Sequence, residues 1–328
     1  MNDKKISRQN TQLGLIGLGL MGSRIFGRLN SMGWRVRGWN RSEPPTLPLR
    51  RMGFDIVDTL SSLVHSTDVL LSSLANDDAV RAVYFGSNGV FANLQPGKII
   101  LEMSTISPDL SAQLHEAATS RGAYLIDLPI SGSTPAVEAG AVTLFAGGQQ
   151  EIFDQCVPIF QSIAKQWYRI GPATAGVRMK LVVNLLLGVN MAAIAEAVSL
   201  GQHLNLDHDI LLDVLPRTAV IAPAFTGKFA KVKAGDFSPQ FPLQLMAKDL
   251  RLVQAAALDS HADLPATQAA SDLFEGALAN SGELDLSALI PYVSKRGPLL
   301  AESAHRPDPA LNKRKRGEIP HEEKLVMP

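Results

Sequence analysis

The sequence predicts an α/β protein. An N-terminal doubly wound sheet is joined by a long interdomain helix to an all-helical C-terminal domain. Three observations predict it. Strand-like and helix-like stretches alternate from about Gln12 to Ile170, the pattern of a sheet covered by helices. A Gly-x-Gly-x-x-Gly turn, Gly17-Leu-Gly19-Leu-Met-Gly22, follows the first apolar run. After Gly171-Pro-Ala-Thr-Ala-Gly176 the chain stays apolar to about Leu204, has no proline until Pro216, and then shows helix-like stretches only.

Leu13-Gly-Leu-Ile-Gly17 reads as the first strand and Ser23 to Met32 as the helix after it. Between them, Gly17 permits the tight turn, Gly19 lets backbone approach a pyrophosphate, and Gly22 allows close helix–strand packing. The helix start, with Leu20 and Met21, offers unpaired N–H groups to phosphates. A glycine pattern alone would also suit a plain tight turn; the strand before it and the helix after it favour a Rossmann-type dinucleotide site.

Trp34 to Trp39 should be the second strand, followed by Asn40-Arg41-Ser42. A site for NAD usually carries Asp or Glu here to bind the ribose 2′-hydroxyl. A neutral Asn and a cation instead suit a 2′-phosphate, which Arg41 can pair with through two charge-assisted hydrogen bonds. The cofactor expected is therefore NADP rather than NAD, an ordinary surface arginine being the alternative.

The alternation continues through Phe54-Asp-Ile-Val57 (strand), Thr59 to Ser66 (helix), Asp68 to Leu74 (strand) and Asp77 to Phe85 (helix). Lys98 to Met103 is strand-like, and Ser104-Thr105 turns into a helix ending near Arg121. Tyr124 to Leu128, Val142 to Ala146 and Trp167 to Ile170 supply further strands, with Glu151 to Ala164 helical between the last two. In such sheets ligands bind at the strand carboxyl ends, where the loops holding Leu74, Ala75 and Thr105 should lie. The loop from Asp127 through Pro129, Ser131 and Gly132 to Gly140 is suited to presenting N–H and O–H donors to an anion. The same residues would serve equally as a turn with a Ser/Thr cap.

Lys180 and Asn184 are four residues apart and share a face near the start of the long helix. At the seam between the two halves they are candidates to address a bound ligand; a lysine snorkelling to solvent is the plainer alternative. Beyond that helix, Asp207 to Leu215, Ala222 to Lys233, Met246 to Leu258, Leu264 to Asn280 and Leu286 to Val293 read as helices. Lys248-Asp249 puts adjacent charges in an apolar helix start, a solvated face with a cap being the plainer reading.

Bulk properties narrow the partners. Lys+Arg and Asp+Glu number 31 each in 328 residues, a net charge of zero that favours neither nucleic acid nor an anionic membrane. Asn184, Asn190 and Glu196 interrupt the apolar helix, so a buried soluble helix is expected rather than a membrane span. A single cysteine, Cys156, fits a reducing compartment, and a cytoplasmic protein is expected. No His/Cys cluster has metal-ligand spacing. The basic run Lys313-Arg-Lys-Arg316 reads as part of a solvated tail, a nucleic-acid address being its alternative.

With these residues in hand, the chain resembles the β-hydroxyacid dehydrogenase family from about Gln12 to Lys295. That group includes 3-hydroxyisobutyrate dehydrogenases, tartronate semialdehyde reductases and glyoxylate/succinic semialdehyde reductases. The resemblance rests on the glycine turn through Gly22, Asp127-Leu-Pro-Ile-Ser-Gly132, Gly171-x4-Gly176-x3-Lys180-x3-Asn184, and Lys248-Asp249. It implies that Lys180 is the catalytic lysine and that Ser131 and Gly132 bind a substrate carboxylate. Asn184 would orient substrate and lysine, Phe241 and Asp249 would complete the substrate side, and Lys248 would close over the cofactor. Leu74, Ala75 and Thr105 match positions that line the cofactor. The chain departs from the family pattern at Ser133 and Ala136-Val137, in the loop that shapes the substrate pocket.

The division expected is a polar tail over 1–11, an NADP-binding Rossmann domain over 12–173, a helical substrate and dimerisation domain over 174–298, and a disordered tail over 299–328. The expected activity is hydride transfer between NADP and a small 3-hydroxy acid or semialdehyde, in a homodimer. Imine reductases share the architecture but generally lack the lysine. A non-enzymatic interaction protein that keeps the fold is the alternative from another class.

Overall fold

The computed structural model describes residues 5–295. In chain order the first half holds β1 (Gln12–Ile16), α1 (Leu20–Ser31), β2 (Arg35–Trp39), α2 (Thr46–Arg51), α3 (Leu60–Ser66) and β3 (Val69–Ser72). Then come α4 (Asp77–Phe85), α5 (Val90–Asn93), β4 (Ile99–Glu102), α6 (Pro108–Thr119) and β5 (Tyr124–Asp127). β6 (Ile130–Ser131), α7 (Thr134–Glu138), β7 (Val142–Gly147), α8 (Gln150–Ile163) and β8 (Ala164–Gly171) complete it.

The sheet runs β2-β1-β3-β4-β5-β7-β6, with β8 on β7, and β1 to β5 are mutually parallel. Every residue of β3 and β4 is buried. Val69 and Leu71 feed one apolar cluster and Leu70 the other, as alternate residues must when helices cover both faces. The far edge is mixed: β7 pairs antiparallel with β5 and β6. Phe54 to Val57 is not a strand. Ile56 makes one parallel bridge to Gly38, and the chain then turns into α3, whose start is capped by the Thr59 hydroxyl. Nor is the N-terminal stretch wholly a polar tail: Ile6 is buried in the sheet's core, and Ser7 to Thr11 close a hydrogen-bonded turn beneath β1. The tail predicted over 299–328, with its basic run, and residues 1–4 lie outside the described residues.

α9 (Ala175–His203) follows β8 after a short loop. Its 29 residues span roughly 43 Å. Val177 near its start belongs to a core cluster of the sheet half, whereas Met191, Ala195 and Val198 belong to the helical core. One helix thus roots in both cores. α10 (His208–Val214), α11 (Pro223–Lys233), α12 (Leu243–Asp259), α13 (Pro265–Ser281) and α14 (Leu289–Lys295) form the helical half. Its core packs Phe229, Leu250 and Phe274 against α9. The two halves keep separate apolar clusters, yet the chain as far as Ser294 forms one compact unit. α9 is apolar enough to pass as a membrane span, but 44% of its most apolar window is buried against this protein.

Candidate active site

The glycine turn is built by close approach. Gly17 has φ +88°, and a Cβ there would lie 2.3 Å from the Ser73 carbonyl oxygen. A Cβ on Gly22 would lie 1.8 Å from the Gly17 carbonyl, so α1 starts hard against the turn. Gly19 differs: a Cβ there would meet no atom within 4 Å. The α1 N-terminus carries no side-chain cap and no acidic residue. Open space beside uncapped helix amides fits the pyrophosphate of a dinucleotide.

Asn40 ties this turn to the end of β2. Its Oδ1 accepts from the Leu18 N–H at 2.9 Å, and its Nδ2 donates to the Ser42 carbonyl at 2.8 Å and hydroxyl at 3.1 Å. Arg41 beside it is exposed and makes no hydrogen bond or ion pair among the described residues.

A cleft of about 350 Å³ opens where the two halves meet. From the sheet half Gly19, Leu20, Met21, Gly22, Leu74, Ala75, Thr105 and Gly132 line it; Lys180 comes from α9, and Phe241, Lys248 and Asp249 from α12 and the segment before it. The other predicted residues stay out of it. Gly17 is buried under the turn, and Asn40, Arg41 and Ser42 lie beyond β2. Ser131 is half-buried in β6, paired with Thr143, while its neighbours Ile130 and Gly132 face the cleft. Asn184 is fully buried one turn beyond Lys180. A larger depression of about 730 Å³ lies on the outer face of α1 among Leu20, Arg24, Arg28 and Met52. It is set apart from Lys180, Lys248 and Asp249, and the chemistry-bearing groups converge on the smaller cleft.

Lys180 is 9% exposed. Burial lowers its pKa to about 8; the Asp249 charge opposes the shift and the Lys248 charge adds to it. Asn184 Nδ2 donates to Asp249 Oδ2 at 2.5 Å. Asp249 Oδ1 lies 2.6 Å from Lys248 Nζ but off the hydrogen-bond axis, so the pair is ionic and that oxygen has no aligned donor. Lys248 Nζ donates instead to the Thr105 carbonyl at 2.6 Å, bridging α12 to the loop after β4.

Two buried carboxylates shape the walls. Glu102, at the end of β4, accepts from the Ser72 hydroxyl and, at 2.8 Å, from the Ser104 N–H. The Ser104 hydroxyl in turn accepts from the Leu74 N–H at 2.8 Å, so the two cofactor-side loops are joined. Burial raises the Glu102 pKa, against the pull of these donors. On the other wall Asp285 accepts from Lys228 Nζ at 2.8 Å and from the Gln240 and Phe241 N–H groups at 3.0 and 3.2 Å. Burial pushes its carboxyl up, but Lys228 together with the Ser287 and Gln240 donors outweighs that and leaves it below the usual value. Ser104 and Gln240 line the cleft and were not singled out as site residues. Ser104 sits beside Thr105 in a loop at the strand carboxyl ends; Gln240, between two prolines, carries no sequence signal.

Comparisons with known proteins agree with this architecture. Residues 12–171 match the family described as the NAD binding domain of 6-phosphogluconate dehydrogenase. Residues 174–293 match that described as NAD-binding of NADP-dependent 3-hydroxyisobutyrate dehydrogenase. Glyoxylate/succinic semialdehyde reductase 1 of Arabidopsis thaliana is 30% identical over 86% of this chain and 98% of its own. 2-(Hydroxymethyl)glutarate dehydrogenase of Eubacterium barkeri is 31% identical over 86% and 94%. The human cytokine-like nuclear factor N-PAC is 29% identical over 87% of this chain, which spans only 52% of that protein. Among solved structures, 3-hydroxyisobutyrate dehydrogenase from Salmonella typhimurium aligns with TM-score 0.79 at 28% identity, over 86% of this chain and 99% of its own. Psf3 in complex with NADP+ and 2-OPP aligns with TM-score 0.80 at 26% identity, over 86% and 100%. An imine reductase from Pseudomonas sp. shares the fold at a lower TM-score of 0.59 and 19% identity, over 86% and 99%. On its sequence, its fold and these relatives, the chain belongs to the β-hydroxyacid dehydrogenase family.

Proposed function

We propose that this protein is an NADP-dependent oxidoreductase that transfers a hydride between the nicotinamide and a small 3-hydroxy acid or semialdehyde. The observation that carries the proposal is Lys180: a buried amine with its pKa lowered to about 8, facing a cleft bordered by an uncapped glycine turn. The bound nicotinamide supplies or accepts the hydride. Lys180 handles the proton. As an ammonium it gives a proton to the carbonyl oxygen that becomes the alcohol, and as a neutral amine it removes that proton in oxidation. A pKa near neutrality keeps both forms accessible, which an ordinary lysine near ~10.4 does not.

Gly132 and Ser131, at the anion-suited loop, take the substrate carboxylate. Asn184 orients substrate and lysine, and Phe241 with Asp249 closes the substrate side. Lys248, already bridging to the Thr105 carbonyl, closes over the cofactor. Arg41 selects NADP; its guanidinium at the end of β2, uncommitted among the described residues, supports that reading, as does the NADP+ bound to Psf3. The active unit is a homodimer that shields the exposed side chains of Val182, Leu186 and Leu200 on α9. A cytoplasmic location suits the single buried cysteine.

A panel of short aldehyde acids, with cyclic imines alongside, tests the proposal through NADPH absorbance. Turnover of at least one aldehyde acid well above every imine supports it. Turnover of imines alone transfers the protein to the imine reductases, and none at all with tight NADPH binding favours an interaction protein.

A further inference from the structure

Asp127 opens the motif that ends at Gly132, and the chemistry above gives it no part. It is fully buried at the C-terminal end of β5, and both of its oxygens face the start of α9. Oδ1 accepts from the Thr174 N–H at 2.9 Å, and Oδ2 from the Val177 N–H at 2.9 Å. Oδ1 also lies 2.8 Å from His115 Nε2, which reaches over from α6.

A helix leaves its first N–H groups without internal partners, and the residue at its cap usually offers an oxygen to the third. In α9 that residue is Thr174, held at φ +72° with a side chain that caps nothing, and the first turn holds no acidic residue. Val177 is the third residue of the helix. A carboxylate 50 positions earlier therefore does what the local sequence does not, and it is an anion at the positive end of the helix dipole. Two glycines make the room. A Cβ on Gly147 would lie 2.5 Å from Asp127 Oδ1, and one on Gly176 would lie 2.8 Å from Oδ2. A Cβ on Gly176 would also meet the Phe145 and Asp127 carbonyl oxygens at 2.5 and 2.6 Å, so backbone and carboxylate together require the glycine four residues ahead of Lys180.

A capping side chain at position 174 could satisfy the Val177 amide locally, though not the N–H of residue 174 itself. Anchoring them to β5 does something further: it locks the helix carrying Lys180 to the strand that leads into Ser131 and Gly132. Val177 is one turn from Lys180, and Asp127 is four residues from Ser131. This carboxylate thus ties the helix that carries the proposed proton-transfer group to the strand before the carboxylate loop.

We propose that Asp127 is a positioning residue for the reaction, fixing the height and rotation of Lys180 over the substrate, with His115 as the donor that steadies its carboxylate. This rests on Lys180 being the proton-transfer group. Misplacing such a group by about 1 Å costs on the order of 10²-fold in rate.

The test compares Asp127→Asn, His115→Ala, His115→Gln and Lys180→Ala with the wild type. Asparagine keeps one acceptor but turns an N–H2 toward a helix N–H. Asp127→Asn is expected to lower kcat by about 10²-fold, leave the NADPH Kd within about twofold, and speed amide exchange at Val177 and Lys180. Water reaching a loosened first turn would also move the alkaline limb of the kcat–pH profile upward. His115→Ala is expected to lose less, and His115→Gln, which can still donate to Oδ1, to recover most of it. If Asp127→Asn does not fold, the two His115 variants decide. Wild-type kcat and pH profile in folded Asp127→Asn, or equal kcat in His115→Ala and His115→Gln, overturns the proposal. Near-wild-type turnover in Lys180→Ala instead overturns the assignment of the lysine, while amide exchange still reports whether Asp127 anchors the helix.

Discussion

Asn184 on α9 and Asp249 on α12 are joined by a hydrogen bond of 2.5 Å, and both side chains are essentially inaccessible to solvent. With Nδ2 committed to Asp249, Asn184 Oδ1 is left buried with no partner among the described residues. An unmet acceptor one turn from Lys180, the proposed proton-transfer group, suits a substrate hydroxyl or the ammonium itself, since leaving it unmet costs about 1–3 kcal/mol.

The pair also sets the charge felt by Lys180. Burial lowers that lysine to about 8, Asp249 holds it up, and Lys248 pushes it down. Reduction requires the ammonium, so its rate should fall above pH 8. Asp249→Asn, which can still bond Asn184, should move this alkaline limb to lower pH. Lys248→Met should move it to higher pH. Rate profiles of the three proteins at saturating NADPH check this, and shifts in the same direction for both variants would contradict the arrangement.

Lys180 should cost stability as well as provide chemistry. Its pKa falls from 10.5 to about 8 on folding, so the folded state disfavours the ammonium that the unfolded chain accepts. The cost is fully present below about pH 8 and fades as the pH rises to about 10.5, where the unfolded lysine also loses its proton. Lys180→Met keeps the length and drops the charge. It should gain roughly 1–3 kcal/mol at pH 7 and lose about 10²–10⁴-fold in turnover. Urea unfolding at pH 7 and again near pH 10 measures the first effect, which should shrink at the higher pH.

The N-terminal half was legible because its signals are local. The glycine turn sits between β1 and α1 as its spacing demands, and α4 spans Asp77 to Phe85 as read. The apolar run from Gly176 onward becomes α9 for the same reason. Asp127 was legible only as the start of a loop, because the amides it serves lie 47 and 50 residues later. The antiparallel edge escaped as well: β6 has two residues and takes its direction from β7. Phe54 to Val57 has strand-like composition but finds only one bridge partner, at Gly38. Gln240 enters the cleft because Asp285, itself held by Lys228, draws in its backbone. These features depend on what tertiary contact brings near, and periodicity cannot report them.

The proposed dimer can be tested on α9 itself. Val182 and Leu186 are 57% and 56% exposed on one face of a helix whose other faces reach both cores. Leu204, Leu206, Ile210 and Val214 just beyond it are also exposed. Large apolar side chains left exposed along one helix and just past its end are candidates for an interface. Light scattering of the wild type at micromolar concentration should report a dimer, and Leu186→Asp should shift it toward monomer. An active wild-type monomer would remove this reading.

The proposed preference for NADP turns on Arg41, and Asn40 sharpens the test. Arg41 is exposed at the end of β2, beyond the glycine turn, with its guanidinium uncommitted among the described residues. Asn40 is committed: it accepts from the Leu18 N–H and donates to Ser42. A charge-assisted pair between Arg41 and a 2′-phosphate is worth roughly 1.5–3 kcal/mol, or about ten- to a hundred-fold in affinity. Arg41→Ala should weaken NADPH by that factor and leave NADH nearly unchanged. Asn40→Asp keeps the acceptor for Leu18 but loses the donor to Ser42 and adds a charge that repels the phosphate, so it should weaken NADPH further. Asn40→Ser, too short to keep these bonds, loosens the loop at least as much without the charge. The gap between these two variants separates repulsion from a loosened loop. Titrations with both cofactors at fixed salt decide the matter: equal weakening of NADH and NADPH by Arg41→Ala would make the arginine an ordinary surface residue, and the preference for NADP would fall with it.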